Sequence, residues 1–290
     1  MPPTVALESS VIAQGLPAPA NLETALAVEA EVASHGGVPK TIGLIDGAPI
    51  VGLTEAQLRH LASAGAVEKI SLRNLPVAGR PNADADAGAT TVAATIHLAH
   101  RAGISVTATG GIGGVHRSIA TEPAWDVSAD LEALRRIPTT VVCSGPKVIL
   151  DLTATREVLE SYGVSVVGYQ TDVMPAFYCS SSGLPVDVRC DTPEGVAEVV
   201  RARDRFDLDG AILVTVPPPD DNALPRDEIE PLIDEALSDA AERGITDAAV
   251  TPFLLKRLRR LSGANLIDAN QALLTRNARV ATQIALALAD

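Results

Sequence analysis

Aromatic side chains are nearly missing from this 290-residue sequence: three Phe, three Tyr and one Trp make up 2% of it, while hydrophobic residues as a whole make up 47%. A core of that size must then be built from Ala, Val, Leu and Ile, which suits helices packed closely on a Val/Ile-rich sheet. Basic residues are also scarce, 23 Lys and Arg against 36 Asp and Glu, for a net charge of −13. That balance excludes a surface that releases counterions from a nucleic-acid polymer, so any phosphate is met one at a time. The cysteines, Cys143, Cys179 and Cys190, are odd in number and show no CxxC spacing. Neither a disulfide framework nor a zinc–thiolate site is expected. The opening "MPPTVALESSVIAQG" lacks a basic stretch leading into an apolar one, and no later window approaches about eighteen uninterrupted apolar residues. The expectation is a soluble, cytoplasmic protein with no membrane partner.

Helix and strand patterns alternate along the chain. "NLETALAVEAEVASHGG" carries apolar residues at helical spacing, a start signal at Asn21 and a Gly36-Gly37 stop. "KTIGLIDGAPIVGL" reads as two strands around an Asp46-Gly47 turn. "TEAQLRHLASAGA" is a helix capped by Thr54, "EKISLRNL" a strand, and Pro76 to Gly88 a Pro/Gly/Asn/Asp-rich loop long enough to serve as a lid. "ISVTATGG", "TTVVCSGPK", "VSVVGYQTD" and "GAILVTVPPP" are further strands, separated by helices. This alternation implies a three-layer α/β/α fold with a mostly parallel central sheet. No linker, repeat or shift in composition divides it, so residues 1–290 are expected to form a single domain.

Ligands of parallel sheets gather at strand carboxyl ends. Three unusual segments sit there: "TGGIGGVHR", "SGPK" and the Asp-rich loop after "EKISLRNL". "GGIGG" lacks the spacing of a dinucleotide fingerprint, and no Walker loop occurs. Its glycines either expose N–H groups to one anion or supply the backbone freedom of a tight turn. Lys147, between "VVC" and "VIL", is a candidate nucleophilic amine, because burial disfavours its charged form. The alternative is a helix-start lysine snorkelling to solvent. Glu8, after a short apolar strand, is either a proton donor or a turn cap. Asp126 and Asp130 in "DVSADL" share a face if helical, or reach a hydrated divalent ion if in a loop. Alternatively, Asp126 or Ser128 caps a helix whose dipole favours Asp130. His116 stands apart from His35, His60, His97 and His100 because its loop also holds the glycines and Arg117.

Taken in order, "ALESSVIAQGLPAPANLETA", "GATTVAAT", "ATGGIGGVHR", "DVSADL", "SGPKVILDLTATREVLES", "MPAFY", "VTPFLLKRL" and "ANQALLTRNA" resemble the pseudouridine-5′-phosphate glycosidase family over nearly the whole chain. The resemblance implies a homotrimeric α/β/α enzyme that uses Mn²⁺, with Mg²⁺ as the other candidate. It acts on the C–C bond between C1′ of ribose 5-phosphate and C5 of uracil. It further implies Lys147 as nucleophile, Glu8 as proton donor and Asp126 as metal ligand. Lys69, Val92, Thr109, His116, Ser128, Ala129, Asp130 and Asn270 then line the sugar-phosphate site, where glycine-loop N–H groups, Thr109 and His116 hold the phosphate end. A C-glycosidic carbon has no lone pair to protonate, so the paired-carboxylate route of ordinary glycosidases is closed. A lysine iminium at C1′ supplies the missing electron sink.

The chain departs from the family's K-x-S-R-R-D-L-P at "KISLRNLP", where Leu72 and Asn74 replace an arginine and an aspartate. "AGRPNADADAG" and "HRSIATEPAWD", with Trp125, also differ. These changes are expected on the aglycone side or at the entrance. A biosynthetic branch of the family attaches ribose 5-phosphate to an aromatic polyketide carbon, which makes C-ribosylation the alternative activity.

Overall fold

The computed structural model describes residues 2–65, 67–80, 86–117, 126–245, 250–261 and 266–289. Its strands are β1 (Thr4–Leu7), β2 (Val38–Ile45), β3 (Ala48–Val51), β4 (Glu68–Ile70), β5 (Ala87–Thr90), β6 (Val106–Ala108), β7 (Val115–His116), β8 (Thr140–Cys143), β9 (Leu150–Asp151), β10 (Ser165–Tyr169), β11 (Val188–Cys190) and β12 (Ile212–Thr215). Its helices are α1 (Ala20–Ser34), α2 (Glu55–Ser63), α3 (Leu75–Ala78), α4 (Val92–Arg101), α5 (Ala129–Arg136), α6 (Leu152–Ser161), α7 (Pro193–Arg205), α8 (Arg226–Glu242), α9 (Val250–Leu261) and α10 (Leu266–Ala289).

Ten strands form one sheet in the order β11-β10-β12-β8-β6-β1-β2-β5-β4, with β3 hairpinned onto β2. Side chains alternate across it, as a period of two requires. Val5, Leu7, Val142, Val167, Ile212 and Val214 belong to the core shared with α1, α7 and α10. Val141, Cys143, Val166 and Leu213 face the opposite way, onto the core that includes α4 and α5. Helices thus cover both faces, in the expected three layers.

The sheet is parallel except around β2, which pairs antiparallel with both β3 and β5. β4 then runs parallel to β5, so β3, β4 and β5 point against the rest. β1 is level with the start of β2, since Leu7 is opposite Thr41, while β5 lies along the far end of β2 and runs back toward it, Ala87 opposite Ile45 and Ala89 opposite Gly43. The carboxyl ends of β1, β6 and β8 therefore meet those of β5 and β4 head on. Ser9 closes the junction: its Oγ donates to the Ile42 carbonyl at 2.6 Å and accepts from the Thr90 N–H at 2.9 Å.

Some expectations change. Asp46 and Gly47 do form the hairpin turn, with φ of 50° and 74°, and Thr54 caps α2 in a reciprocal capping box with Gln57. Asn21, however, is no cap. It lies inside α1, and its amide donates to the Ile12 and Ala62 carbonyls at 3.0 and 3.1 Å, because joining three segments satisfies more buried groups than one cap. The "EKISLRNL" strand ends at Ile70, where the Asn74 side chain accepts from the Ser71 N–H and turns the chain. Within the loop expected from Pro76 to Gly88, α3 takes the start and β5 the end. Residues 81–85 of that loop and Trp125 lie outside the described residues. β11 escaped notice because its edge position leaves two of its three residues exposed. Among the described residues no helix is long and apolar enough to cross a membrane.

Candidate active site

The head-on junction opens into a cavity of about 500 Å³. Glu8 is the first residue beyond β1, 9% exposed, and both its oxygens accept hydroxyl protons: Oε2 from Ser10 at 2.5 Å, Oε1 from Thr109. Lys147 ends the tight turn after β8. Its N–H donates to the Ile112 carbonyl at 3.1 Å and its own carbonyl accepts from the Leu150 N–H at 3.0 Å, so the half-buried side chain is aimed by backbone bonds on both sides. The turn needs Gly145: φ is +82°, and a Cβ there would stand 2.0 Å from the Pro175 carbonyl oxygen. Gly113 needs bareness for another reason, since its Cβ would fall 2.3 Å from the Ser128 hydroxyl.

Lys69, at the end of β4, faces the same cavity. Desolvation by the surrounding protein holds its pKa below the ordinary lysine value, the Lys147 charge adds to that, and Asp130 and Glu8 oppose it. His116 is also shifted down, chiefly by burial and further by Lys147 and Lys69, against the pull of Asp126. Its ring Nδ1 lies 3.9 Å from Asp126 Oδ2, and its backbone N–H donates to the Asp126 carbonyl at 2.9 Å. An acidic chain thus gathers cations here: Lys69, Arg73 and Lys147 all line the cavity, and none makes an ion pair among the described residues.

Asp126 and Asp130 play separate parts. Asp126 precedes α5 by three residues, so the two share no helix face. Ser128 caps α5 by accepting from the Asp130 N–H at 3.2 Å. Asp130 is 5% exposed and clamps two segments: Oδ1 accepts from Ala93 N–H, at the start of α4, at 2.9 Å, and Oδ2 from Gly113 N–H at 2.8 Å. Val92 and Ala129, the first residues of α4 and α5, both line the cavity, which brings two partly positive helix ends to one place. Asn270 reaches the cavity from α10. Thr109 does not line it with the others. It is 1% exposed and lies behind Glu8.

The two family departures in the β4 loop are placed differently. Leu72 packs against the buried core of Val92, Ile112 and Leu131. Asn74 borders the cavity, but its amide is occupied, donating to Glu68 Oε1 at 2.9 Å and the Lys69 carbonyl at 2.8 Å. Other lining residues went unnamed in the sequence. The Thr91 hydroxyl sits at the N-cap of α4 yet caps nothing, and with Gln14 Oε1 and Asn270 Oδ1 it is buried without a hydrogen-bond partner among the described residues. A threonine before a helix reads simply as a cap, so no signal marked it. Phe177 and Tyr178 stack edge to face at 4.5 Å on the cavity wall.

No group of three His, Cys, Asp or Glu able to cage a metal occurs among the described residues. With Asp130 committed to N–H groups and Glu8 to two hydroxyls, Asp126, 3.9 Å from the His116 ring, is the cavity carboxylate that remains to meet a cation. One such oxygen donor fits a largely hydrated Mn²⁺ or Mg²⁺ that also draws on the oxygens of a phosphate ligand.

The family model for indigoidine synthase A like proteins matches residues 1–287. The chain belongs to that family. The pseudouridine-5′-phosphate glycosidase of Symbiobacterium thermophilum is 50% identical over 288 residues that cover 99% of this chain and 92% of the relative. The enzyme of the same name from Rhodospirillum centenum is 52% identical over 287 residues, covering 99% and 88%. Among solved structures, the prealnumycin C-glycosynthase AlnA in complex with ribulose 5-phosphate superposes with a TM-score of 0.88 at 41% identity, covering 99% of this chain and 91% of that one. An indigoidine synthase A-like protein from Thermotoga maritima gives a TM-score of 0.90 at 34% identity, covering 100% and 94%.

Proposed function

We propose that this chain makes or breaks the C–C glycosidic bond between C1′ of ribose 5-phosphate and an aglycone, with pseudouridine 5′-phosphate and water giving uracil and ribose 5-phosphate as the default reaction. The observation that carries it is the convergence of Lys147, Glu8 and Lys69 on one cavity, together with two helix N-termini. Relatives about half identical over the whole chain carry that activity in their names.

Glu8 gives a proton to the ring oxygen as the C1′–O bond opens, and the Lys147 amine bonds to C1′. The Glu8 carboxylate takes the proton that the C1′-bound nitrogen must lose and delivers it to the aglycone carbon. The C1′–C bond breaks with its electron pair moving to that carbon, while the nitrogen lone pair forms the iminium. Water hydrolyses the iminium to the aldehyde of ribose 5-phosphate and frees the amine. Lys69, His116 and the N-termini of α4 and α5 take the phosphate end. Asp126 would hold Mn²⁺ or Mg²⁺, which when bound supplies positive charge next to that phosphate.

The AlnA likeness supports a second reading, run in the synthetic direction on an aromatic acceptor. Either way the chain is expected to work as a cytoplasmic homotrimer.

The test is uracil release from pseudouridine 5′-phosphate with Mn²⁺, beside a Lys147→Ala control. Release that the control abolishes supports the default reaction. No release, with ribose 5-phosphate still trapped on Lys147 by borohydride, moves the assignment to another aglycone. Normal turnover by Lys147→Ala overturns the lysine chemistry.

A further inference from the structure

Asn277 lies in the middle of α10, wholly buried, and seven residues beyond Asn270 it belongs to the same inward stripe. A buried amide on a mostly apolar helix face is costly unless it is satisfied. This one is satisfied by two strand ends. Its Nδ2 donates to the Thr109 carbonyl at 2.8 Å and approaches the Ser144 hydroxyl at 3.1 Å, and that hydroxyl donates to Asn277 Oδ1 at 3.3 Å. Thr109 is the residue after β6 and Ser144 the residue after β8, and the Ser144 N–H donates to the Gly110 carbonyl at 2.9 Å.

Each strand end carries one half of the proposed chemistry. The Thr109 hydroxyl donates to Glu8. Ser144 begins the turn that delivers Lys147 three residues later, and its carbonyl accepts from the Phe177 N–H at 2.7 Å. One side chain thus pins the group that orients the carboxylate and the turn that aims the amine. We propose that Asn277 is a positioning residue that sets the register between Glu8 and Lys147, acting through Thr109 and Ser144 and touching no substrate. On the same grounds Thr109 serves Glu8, not the phosphate. The inference rests on the lysine and glutamate roles given above.

A shift of about 1 Å between reacting groups costs on the order of 10²-fold in rate while leaving ligand binding largely intact. The experiment measures how fast borohydride-trappable ribose 5-phosphate adduct forms on Lys147, by mass spectrometry, across a range of sugar concentrations. This readout needs no aglycone. Asn277→Leu and Asn277→Asp are compared with wild type well below their melting temperatures, and Ser144→Ala removes the second half of the clasp should the Asn277 variants fail to fold. Ile284→Ala, a buried position on α10 outside the cavity lining, serves as the control for lost stability.

The expected result is a maximal adduct rate lowered about 10²-fold in the Asn277 variants and less in Ser144→Ala. Half-saturation should stay within about threefold of wild type, and Ile284→Ala should keep its rate per folded molecule. A rate within threefold of wild type in folded Asn277 variants overturns the clasp alone, as does an equal loss in Ile284→Ala. A wild type that forms no adduct overturns the lysine reading and the clasp with it.

Discussion

Replacing Asp130 separates a substrate ligand from a structural clamp, and the geometry sets the size of the effect. Its two oxygens accept backbone N–H groups of Ala93 and Gly113 at 2.9 and 2.8 Å, and the residue is 5% exposed. Hydrogen bonds to a charged group contribute about 1.5–3 kcal/mol each, and orphaned buried donors lose that much or more. Asp130→Ala should therefore destabilise the fold by about 3–5 kcal/mol. Asp130→Asn keeps one acceptor and turns an amide N–H toward the other donor, for a loss of about 1.5–3 kcal/mol. Large domains lose about 2–4 °C of melting temperature per kcal/mol. Calorimetry of the alanine variant should then show a fall of about 6–10 °C, taking the lower figure for a chain of this length. Urea unfolding gives the same ranking by an independent route. A residue that served mainly to bind sugar would leave the apo melting temperature within about 1 °C and raise only the half-saturation constant. That outcome would refute the clamp.

Further perturbations probe other parts of the site. Gly145→Ala forces a left-handed φ on a residue with a Cβ, at about 1–2 kcal/mol, and drives that Cβ into the Pro175 carbonyl. Adduct formation on Lys147 should be lost, and full activity would show that the turn is free to move. Lys69 has its pKa held down by burial and by Lys147, so its positive charge is shed at a lower pH than an ordinary lysine sheds it. Affinity for ribose 5-phosphate, measured by calorimetry, should start to fall on the alkaline side before free lysine titrates; Lys69→Arg should carry binding to higher pH, and identical profiles would remove Lys69 from the phosphate end. Arg117 joins the Leu150 and Val148 carbonyls, at 3.1 and 3.3 Å, to Glu230 Oε2 at 2.8 Å on α8. Arg117→Ala should lower stability by about 1–3 kcal/mol and slow adduct formation, since those carbonyls follow Lys147 directly. An unchanged melting curve would count against the link.

The sequence made the layers and the Lys147 turn legible, and hid the head-on arrangement of strands. Periodicity identifies a strand without giving its direction, and nothing in "EKI" or "AGAT" says that β4 and β5 run against β2. That reversal is what carries Lys69, Thr91 and Val92 to the end of the sheet where Glu8 and Lys147 stand. The Asp46-Gly47 hairpin is its local cause, because folding β3 back on one edge of β2 leaves the far part of the other edge for β5. Motif blocks brought cavity residues to attention without ranking their work: Asp126 and Asp130 looked equivalent, yet one is half exposed beside His116 and the other is spent on two N–H groups. Asn21 looked like a cap and Asn277 like an ordinary helix residue, yet both are buried amides that bind other segments. Long-range partners of this kind lie 9 to 168 residues away in the chain, where neither spacing nor propensity reaches. Of the two changes near the β4 loop, Leu72 packs into protein, whereas Asn74 borders the cavity with its amide held by Glu68 and the Lys69 carbonyl. Between them only Asn74 can meet a bound aglycone directly, so Asn74→Asp is the variant on which to test aglycone preference first.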